Sequence, residues 1–91
     1  MKNINTMNTI KILEKLIREI KSNDSLEIKP DDLLIKDLSF SSLESLQLLD
    51  KIQEHFQFMF EIEDYHDKNF KDVKSMINII NLRKEKVNEF S

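Results

Sequence analysis

Apolar residues recur at steps of three and four along three segments of the chain, and this spacing limits the chain to a helical fold. The first segment is residues 6–22, whose apolar positions are Met7, Ile10, Leu13, Ile17 and Ile20. The second runs from residue 41 or 42 to about residue 56, and its positions are Leu43, Leu46, Leu49, Ile52 and Phe56. The third begins at Phe70 and contains Val73, Met76, Ile77 and Ile80, with Val87 and Phe90 as a continuation of the stripe. We expect a small all-α bundle of three to four helices.

The connection between the first two helices, residues 23–40, is long and unusually apolar for a loop. Pro30 and the acidic pair that follows it stop any helix from continuing through this connection. Its apolar residues are Leu26, Ile28, Leu33, Leu34, Ile35 and Leu38. A long loop of this composition is expected to pack across the ends of the helices.

The segment FQFMFEI, residues 56–62, has apolar side chains at alternate positions, which is typical of a strand. The only other short alternation is Leu26 and Ile28, and an isolated pair of strands is marginally stable. We therefore predict an extended linker whose aromatic side chains turn into the core. One short helical turn within residues 63–69 should follow it, before the last helix.

The length of 91 residues suits one domain, which we expect to span residues 1–91 with a core at about 7–82. The absence of cysteine excludes disulfides and thiolate chemistry by the protein's own side chains. No stretch is apolar and long enough to span a bilayer, and the first residues lack signal or transit character. The expectation is a cytoplasmic monomer.

The middle of the chain is acidic. Residues 36–67 contain eight acidic and two basic residues, a net charge of −6, whereas the remaining residues have a net charge of +3. Phosphates would be repelled by this region, which argues against nucleic acid as a partner. It favours docking onto basic surfaces of other proteins, although a solvated helix face is the simpler interpretation of charge alone.

The start of the second helix has a recognisable capping signal. Ser41 and Glu44 have the S-x-x-E spacing of a capping box, in which each side chain accepts the backbone N–H of the other residue. Ser42 then occupies the first helical position. Taken alone, Ser42 would be interpreted as a solvent-facing serine.

The segment DLSFSSLESLQLL, residues 37–49, resembles the attachment motif of acyl carrier proteins, D-L-G-x-D-S-L-(D/E)-x-V-E-L. The matching residues are Asp37, Leu38, Ser42, Leu43, Glu44 and Leu48. The order of helices and loops around the motif also matches, so that the resemblance covers about residues 10–80. Two departures from the family pattern matter, Ser39 at the usual Gly and Ser41 at the usual Asp, whereas Leu46 in place of Val and Gln47 in place of Glu are mild changes. Because the family's modifying enzyme works with a magnesium ion beside that Asp, the second departure leaves open which enzyme accepts the chain.

The resemblance implies a 4'-phosphopantetheine arm, transferred from coenzyme A to the Ser42 hydroxyl by a phosphopantetheinyl transferase. The arm ends in a thiol that carries acyl groups as thioesters. A helix N-terminus suits a phosphodiester, because its first N–H groups are unpaired and the helix dipole is positive there.

The resemblance also implies roles for the residues around Ser42. Residues expected on the exposed side of the second helix, where partner enzymes with basic patches would dock, are Leu43, Glu44, Leu48, Asp50 and Glu54. Residues expected to line an apolar interior that can receive an acyl chain, or otherwise to form ordinary core, are Leu46, Leu49, Phe56, Phe60, Ile62 and Ile77.

The leading hypothesis is a discrete, non-catalytic acyl carrier in fatty acid synthesis, with a polyketide or other specialised pathway close behind. A peptidyl or aminoacyl carrier is less favoured, because that branch tends to have a Gly-Gly pair before the serine. The alternative from another class is a helical interaction module that kept the fold and lost the arm. An enzyme is disfavoured, since no acid, base and nucleophile converge. His55 and His66, with Glu63 and Asp67 nearby, offer too few ligands to predict a metal site.

Overall fold

The computed structural model describes the backbone of residues 2–89 and the side chains of residues 7–85. Helix α1 is Lys2–Lys21, α2 is Ser42–Phe56, α3 is Asp67–Phe70 and α4 is Val73–Glu89, with a 3₁₀ turn at Ile62–Asp64 before α3. Over the described backbone the β structure is limited to one isolated bridge between Leu33 and Asp72. The predicted all-α bundle with a long first loop is confirmed. Val87 lies in α4 without a described side chain, and Phe90 is outside the described residues.

The core forms where α1, α2 and α4 pack together. From α1 it takes Leu13, Leu16 and Ile17, and from α4 it takes Val73, Met76, Ile77, Ile79 and Ile80. The predicted apolar stripe is therefore buried from Val73 to Ile80, whereas Phe70, where this helix was expected to begin, is the last residue of α3. Met7 was expected in the α1 stripe and is exposed instead, whereas Ile10 and Ile20 pack partly buried against the core.

The rotation of α2 about its axis differs from what the sequence indicates. Leu48 and Ile52 are its fully buried residues. A step of three residues turns a helix by about 300°, so three such steps place Leu43 and Ile52 on opposite faces of α2. A step of four turns it by only about 40° beyond a full turn, so Leu48 shares the core face with Ile52.

The long first loop is fastened to the start of α4. The Val73 and Lys74 amides donate to the carbonyls of Asp32 and Pro30, at 3.1 and 2.8 Å. These loop carbonyls accept N–H groups that a helix start leaves without intrahelical partners. Leu34 and Leu38 are buried, which confirms that the loop packs on the bundle, although Ile35 is exposed.

The linker after α2 begins at Gln57, which has a left-handed backbone with φ of 57°. Phe58 and Phe60 are buried with their rings 5.1 Å apart, as predicted for an extended linker. Ile62, which was predicted to line the interior, is 90% exposed. The alternation ends before Ile62 because the 3₁₀ turn begins there, and a helical turn no longer places every second side chain on one side.

A buried ion pair connects this linker to α4, and sequence inspection gave no sign of it. Arg83 and Asp64 are 6% and 3% exposed. The Arg83 Nη2 donates to Asp64 Oδ1 at 2.7 Å, its Nε lies 2.6 Å from Oδ2, and its Nη1 contacts Glu61. Asp64 Oδ2 also accepts the Glu61 N–H at 2.8 Å. The pair therefore fixes both the 3₁₀ turn and its distance from α4.

We expect Arg83→Met to lower the free energy of unfolding by about 3–5 kcal/mol, because Asp64 would remain as a buried charge without its partner. The matched control is Lys74→Met, which removes the same charge from an exposed position of α4 and should cost about 0.5 kcal/mol or less. Urea denaturation followed by circular dichroism measures both. Equal, small effects of the two substitutions would contradict the importance of the pair.

Candidate functional site

The start of α2 has the predicted capping box. The Glu44 amide donates to Ser41 Oγ at 3.1 Å, and the Ser41 amide donates to Glu44 Oε1 at 2.8 Å. Ser41 has an extended backbone with φ of −82° and ψ of 168°, as an N-cap residue requires. The helix therefore begins at Ser42, as its sequence indicates.

Ser42 is exposed at the first position of this helix. Within the described part of the chain, neither its hydroxyl nor the amides of Ser42 and Leu43 have a hydrogen-bond partner. A nucleophilic oxygen therefore lies beside two free N–H groups at the positive end of a 15-residue helix. These groups fit the phosphate of a covalently attached arm, which they would stabilise by hydrogen bonding.

A cleft of about 520 Å³ opens next to Ser42. It is bordered by the first loop, α2, α3 and the start of α4, through Leu34, Ile35, Ser42, Ser45, Leu46, Leu49, Asp67, Phe70, Lys71 and Met76. On α2, Leu46 and Leu49 lie within about 40° of Ser42 around the helix axis, since they follow it by four and seven residues. Ser42 and the apolar wall of the cleft thus share one flank of α2.

The predicted interior residues divide into three groups. Leu46 and Leu49 border the cleft, although Leu46 is 61% exposed rather than interior. Phe60 and Ile77 are buried in the core and Phe56 packs against it, and none of the three borders the cleft. Ile62 lies neither in the core nor at the border of the cleft. Leu34, Phe70 and Met76 also border the cleft and were not predicted, because only the packing of distant segments brings them near Ser42.

The outward face of α2 contains four of the exposed positions, Leu43, Gln47, Asp50 and Glu54. Their spacing of four, three and four residues places them in one row opposite the buried Ile52. Leu48 was predicted in this exposed set, and that prediction is wrong: its side chain is 0% exposed because it lies one turn before Ile52 on the core face. Asp50 and Glu54 are exposed carboxylates, as expected.

Glu44 is committed to contacts within the chain rather than free for a partner. Its two carboxylate oxygens lie 3.2 Å from Lys21 Nζ, and one of them also accepts the Ser41 amide. The Ser41 N–H bond first, and the Lys21 ammonium after it, lower the pKa of the Glu44 carboxyl below its ordinary value. The carboxylates that remain available on α2 are therefore Asp50 and Glu54.

Two negative findings apply to the part of the chain that the structure describes. Its residues contain no group of three or more His, Cys, Asp or Glu side chains placed to hold a metal ion. None of its helices has the length and apolar character needed to cross a membrane.

A curated protein from Helicobacter hepaticus, named acyl carrier protein, is 31% identical to the chain over 78 residues, which are 86% of the chain and all of that protein. The chain belongs to the acyl carrier protein family. The resemblance seen in residues 37–49 is thereby confirmed. No model of a protein family matches the chain.

One chain of a solved structure has the same fold. That structure is the crystal structure of Bradyrhizobium japonicum glycine:[carrier protein] ligase complexed with glycylated carrier protein. The match has a TM-score of 0.71 and 15% identity, and covers 78% of this chain and 96% of the matched chain. At that identity the likeness concerns the carrier fold and not the group that is carried.

The departure from the family pattern at Ser39 falls at a position with an unfavourable backbone conformation. Ser39 has a left-handed backbone with φ of 58°, the region that glycine enters without a steric penalty. This chain has no glycine, and Ser22 and Gln57 also adopt left-handed conformations. Ser39 therefore holds a conformation that a glycine would adopt without a steric penalty.

We expect Ser39→Gly and Gln57→Gly each to raise the free energy of unfolding by about 0.5–1 kcal/mol, because glycine relieves the left-handed strain. Ser25→Gly is the control, since Ser25 lies in the first loop and is not among the positive-φ residues. There the added freedom of the unfolded chain should lower stability or leave it unchanged. Thermal unfolding of the three variants would contradict this account if Ser39→Gly behaved like Ser25→Gly.

Proposed function

We propose that the chain is a discrete, non-catalytic acyl carrier whose Ser42 hydroxyl bears a 4'-phosphopantetheine arm. The arm would supply the thiol that this cysteine-free chain lacks, and acyl groups would be held on it as thioesters. The observation that carries the proposal is the exposed Ser42 hydroxyl at the start of α2, directly beside the cleft.

The cleft supports an alkyl acyl group as the cargo. Six of its ten bordering residues are apolar: Leu34, Ile35, Leu46, Leu49, Phe70 and Met76. Burying methylene groups against such walls is favourable by about 0.8 kcal/mol for each. A polar aminoacyl group would gain little there. Fatty acid synthesis is therefore the pathway we favour, with a specialised polyketide pathway next.

The substitution of Ser for Asp at position 41 affects the modifying enzyme more than the fold. Ser41 caps α2 as well as an Asp would, since both residue types are favoured N-caps. It contributes no carboxylate beside Ser42, and the neighbouring Glu44 carboxylate is bound to Lys21. The transferase that accepts this carrier would then have to hold its magnesium ion without an acid from position 41.

Partner enzymes would dock on the outward row of α2. Leu43 offers an exposed apolar contact next to the attachment site, and Asp50 and Glu54 offer charges two and three turns further along. Opposite charges at such a surface mainly raise the rate of association. A partner would need a small apolar pocket flanked by basic side chains on one side.

Intact mass spectrometry tests the attachment. After incubation with coenzyme A, magnesium and a broad-specificity phosphopantetheinyl transferase, the wild type should gain one phosphopantetheine and Ser42→Ala should gain none.

Ser45→Ala is the matched control, because Ser45 also borders the cleft one turn later. It should be modified like the wild type. Absence of any mass gain with several transferases would favour the alternative function, an interaction module that has the carrier fold without the arm.

The docking surface is tested by a double substitution, Asp50→Asn with Glu54→Gln. We expect kcat/KM for arm transfer to fall by about tenfold at low salt, with the difference shrinking as salt screens the charges. The control pair is Glu27→Gln with Asp31→Asn, which removes the same charge from exposed positions of the first loop. Equal losses from both pairs would show that net charge matters and the α2 surface does not.

A further inference from the structure

Lys21, the last residue of α1, contacts residues on both sides of Ser42. Its Nζ donates to the Ser39 carbonyl at 2.9 Å and lies 3.2 Å from each Glu44 carboxylate oxygen. It also lies 5.4 Å from the centre of the Phe40 ring, within the range of a cation–π contact. One ammonium group thus contacts the residues three and two positions before Ser42, and the residue two positions after it.

The segment that Lys21 contacts is under strain where the family has a glycine. Ser39 is left-handed, and the following residue, Phe40, is buried with its amide bonded to the Leu34 carbonyl at 2.9 Å. A side chain at a left-handed position keeps that conformation only when surrounding contacts enforce it. The bond from the Lys21 ammonium to the Ser39 carbonyl is such a contact, and charge-assisted bonds are stronger than neutral ones.

We propose that Lys21 is a positioning residue for arm attachment: it holds residues 39–44 in the single backbone arrangement that presents the Ser42 hydroxyl to the transferase. The inference rests on the proposed function of Ser42. The bond from the ammonium supports the left-handed Ser39 where the family has a glycine. Through Glu44 the ammonium also stabilises the capping box between Ser41 and Glu44, which encloses Ser42.

The Lys21 and Glu44 side chains are partly buried, with 21% and 26% of each exposed, so bulk water screens their interaction less than that of a fully exposed pair. The two charges lie on different helices, Lys21 at the end of α1 and Glu44 in the first turn of α2. Their ion pair therefore couples the position of α1 to residues 39–44, in addition to the packing of the core.

The test compares Lys21→Met with Lys15→Met, an exposed lysine of the same helix, so that both variants lose one positive charge. Transfer kinetics are measured at a temperature where every variant is fully folded by circular dichroism. We expect kcat/KM for Lys21→Met to fall about tenfold, since misplacing a reacting group by about 1 Å can cost about 100-fold. Lys15→Met should match the wild type.

A second substitution separates positioning from stability. In the double variant Lys21→Met with Ser39→Gly, the glycine adopts the left-handed conformation without help, so most of the lost transfer rate should return. Because Ser39→Gly also raises stability, Lys21→Met with Gln57→Gly is the control. A merely structural role of Lys21 would be rescued equally by either glycine. Backbone ¹⁵N order parameters at residues 39–42 should fall from about 0.85 toward about 0.6 in Lys21→Met alone.

The outcomes distinguish this inference from the function on which it rests. Failure of the wild type to accept an arm from any transferase would overturn the proposed function. A wild type that is modified, together with a Lys21→Met variant that matches Lys15→Met in rate and order parameters, would overturn the positioning role alone. Loss of rate without rescue by Ser39→Gly would also overturn it.

Discussion

Burial of Leu48 and Ile52 fixes the rotation of α2 about its axis, and the arrangement of the site depends on that rotation. With these two side chains turned into the core, the 3.6-residue period leaves two other faces. One contains Ser42, Ser45, Leu46 and Leu49 and borders the cleft. The other contains Leu43, Gln47, Asp50 and Glu54 and points outward to solvent. A single helix thereby presents Ser42 and the cleft wall on one face and the exposed row from Leu43 to Glu54 on another.

The absence of glycine shapes the molecule wherever the chain must turn sharply. Ser22, Ser39 and Gln57 take left-handed conformations at the end of α1, before α2 and after α2. Each position is accompanied by a compensating bond or capping contact: the Ser22 amide bonds the Glu19 carbonyl, the Gln57 amide bonds the Gln53 carbonyl, and Lys21 bonds the Ser39 carbonyl. Two of the three positions, Ser39 and Gln57, flank α2, which is the element that contains Ser42.

The linker between α2 and α3 is held by a different kind of interaction. Arg83 reaches from α4 to Asp64 and Glu61, while Gln53 of α2 accepts the Phe60 amide at 2.8 Å. These polar contacts position the start of α3, whose Phe70 forms part of the cleft wall. Apolar side chains of α2 thus form one wall of the cleft, and polar contacts hold the opposite wall, which contains Phe70, in place.

The sequence by itself determined the local features: the bounds of α2, its capping box, the place of Ser42 at the first helical position and the aromatic linker. Each depends on neighbouring residues, through caps, periodicity and backbone preference, and is therefore legible in a short stretch. Only the tertiary structure decided that Leu48 is buried, that Ile62 is exposed, that Glu44 is bound by Lys21, and that Leu34 and Met76 border the cleft. Those outcomes depend on how α2 is rotated against α1 and α4, and on contacts between residues far apart in the chain. An apolar stripe with steps of three is compatible with more than one rotation, and the packing of distant core residues selects one of them.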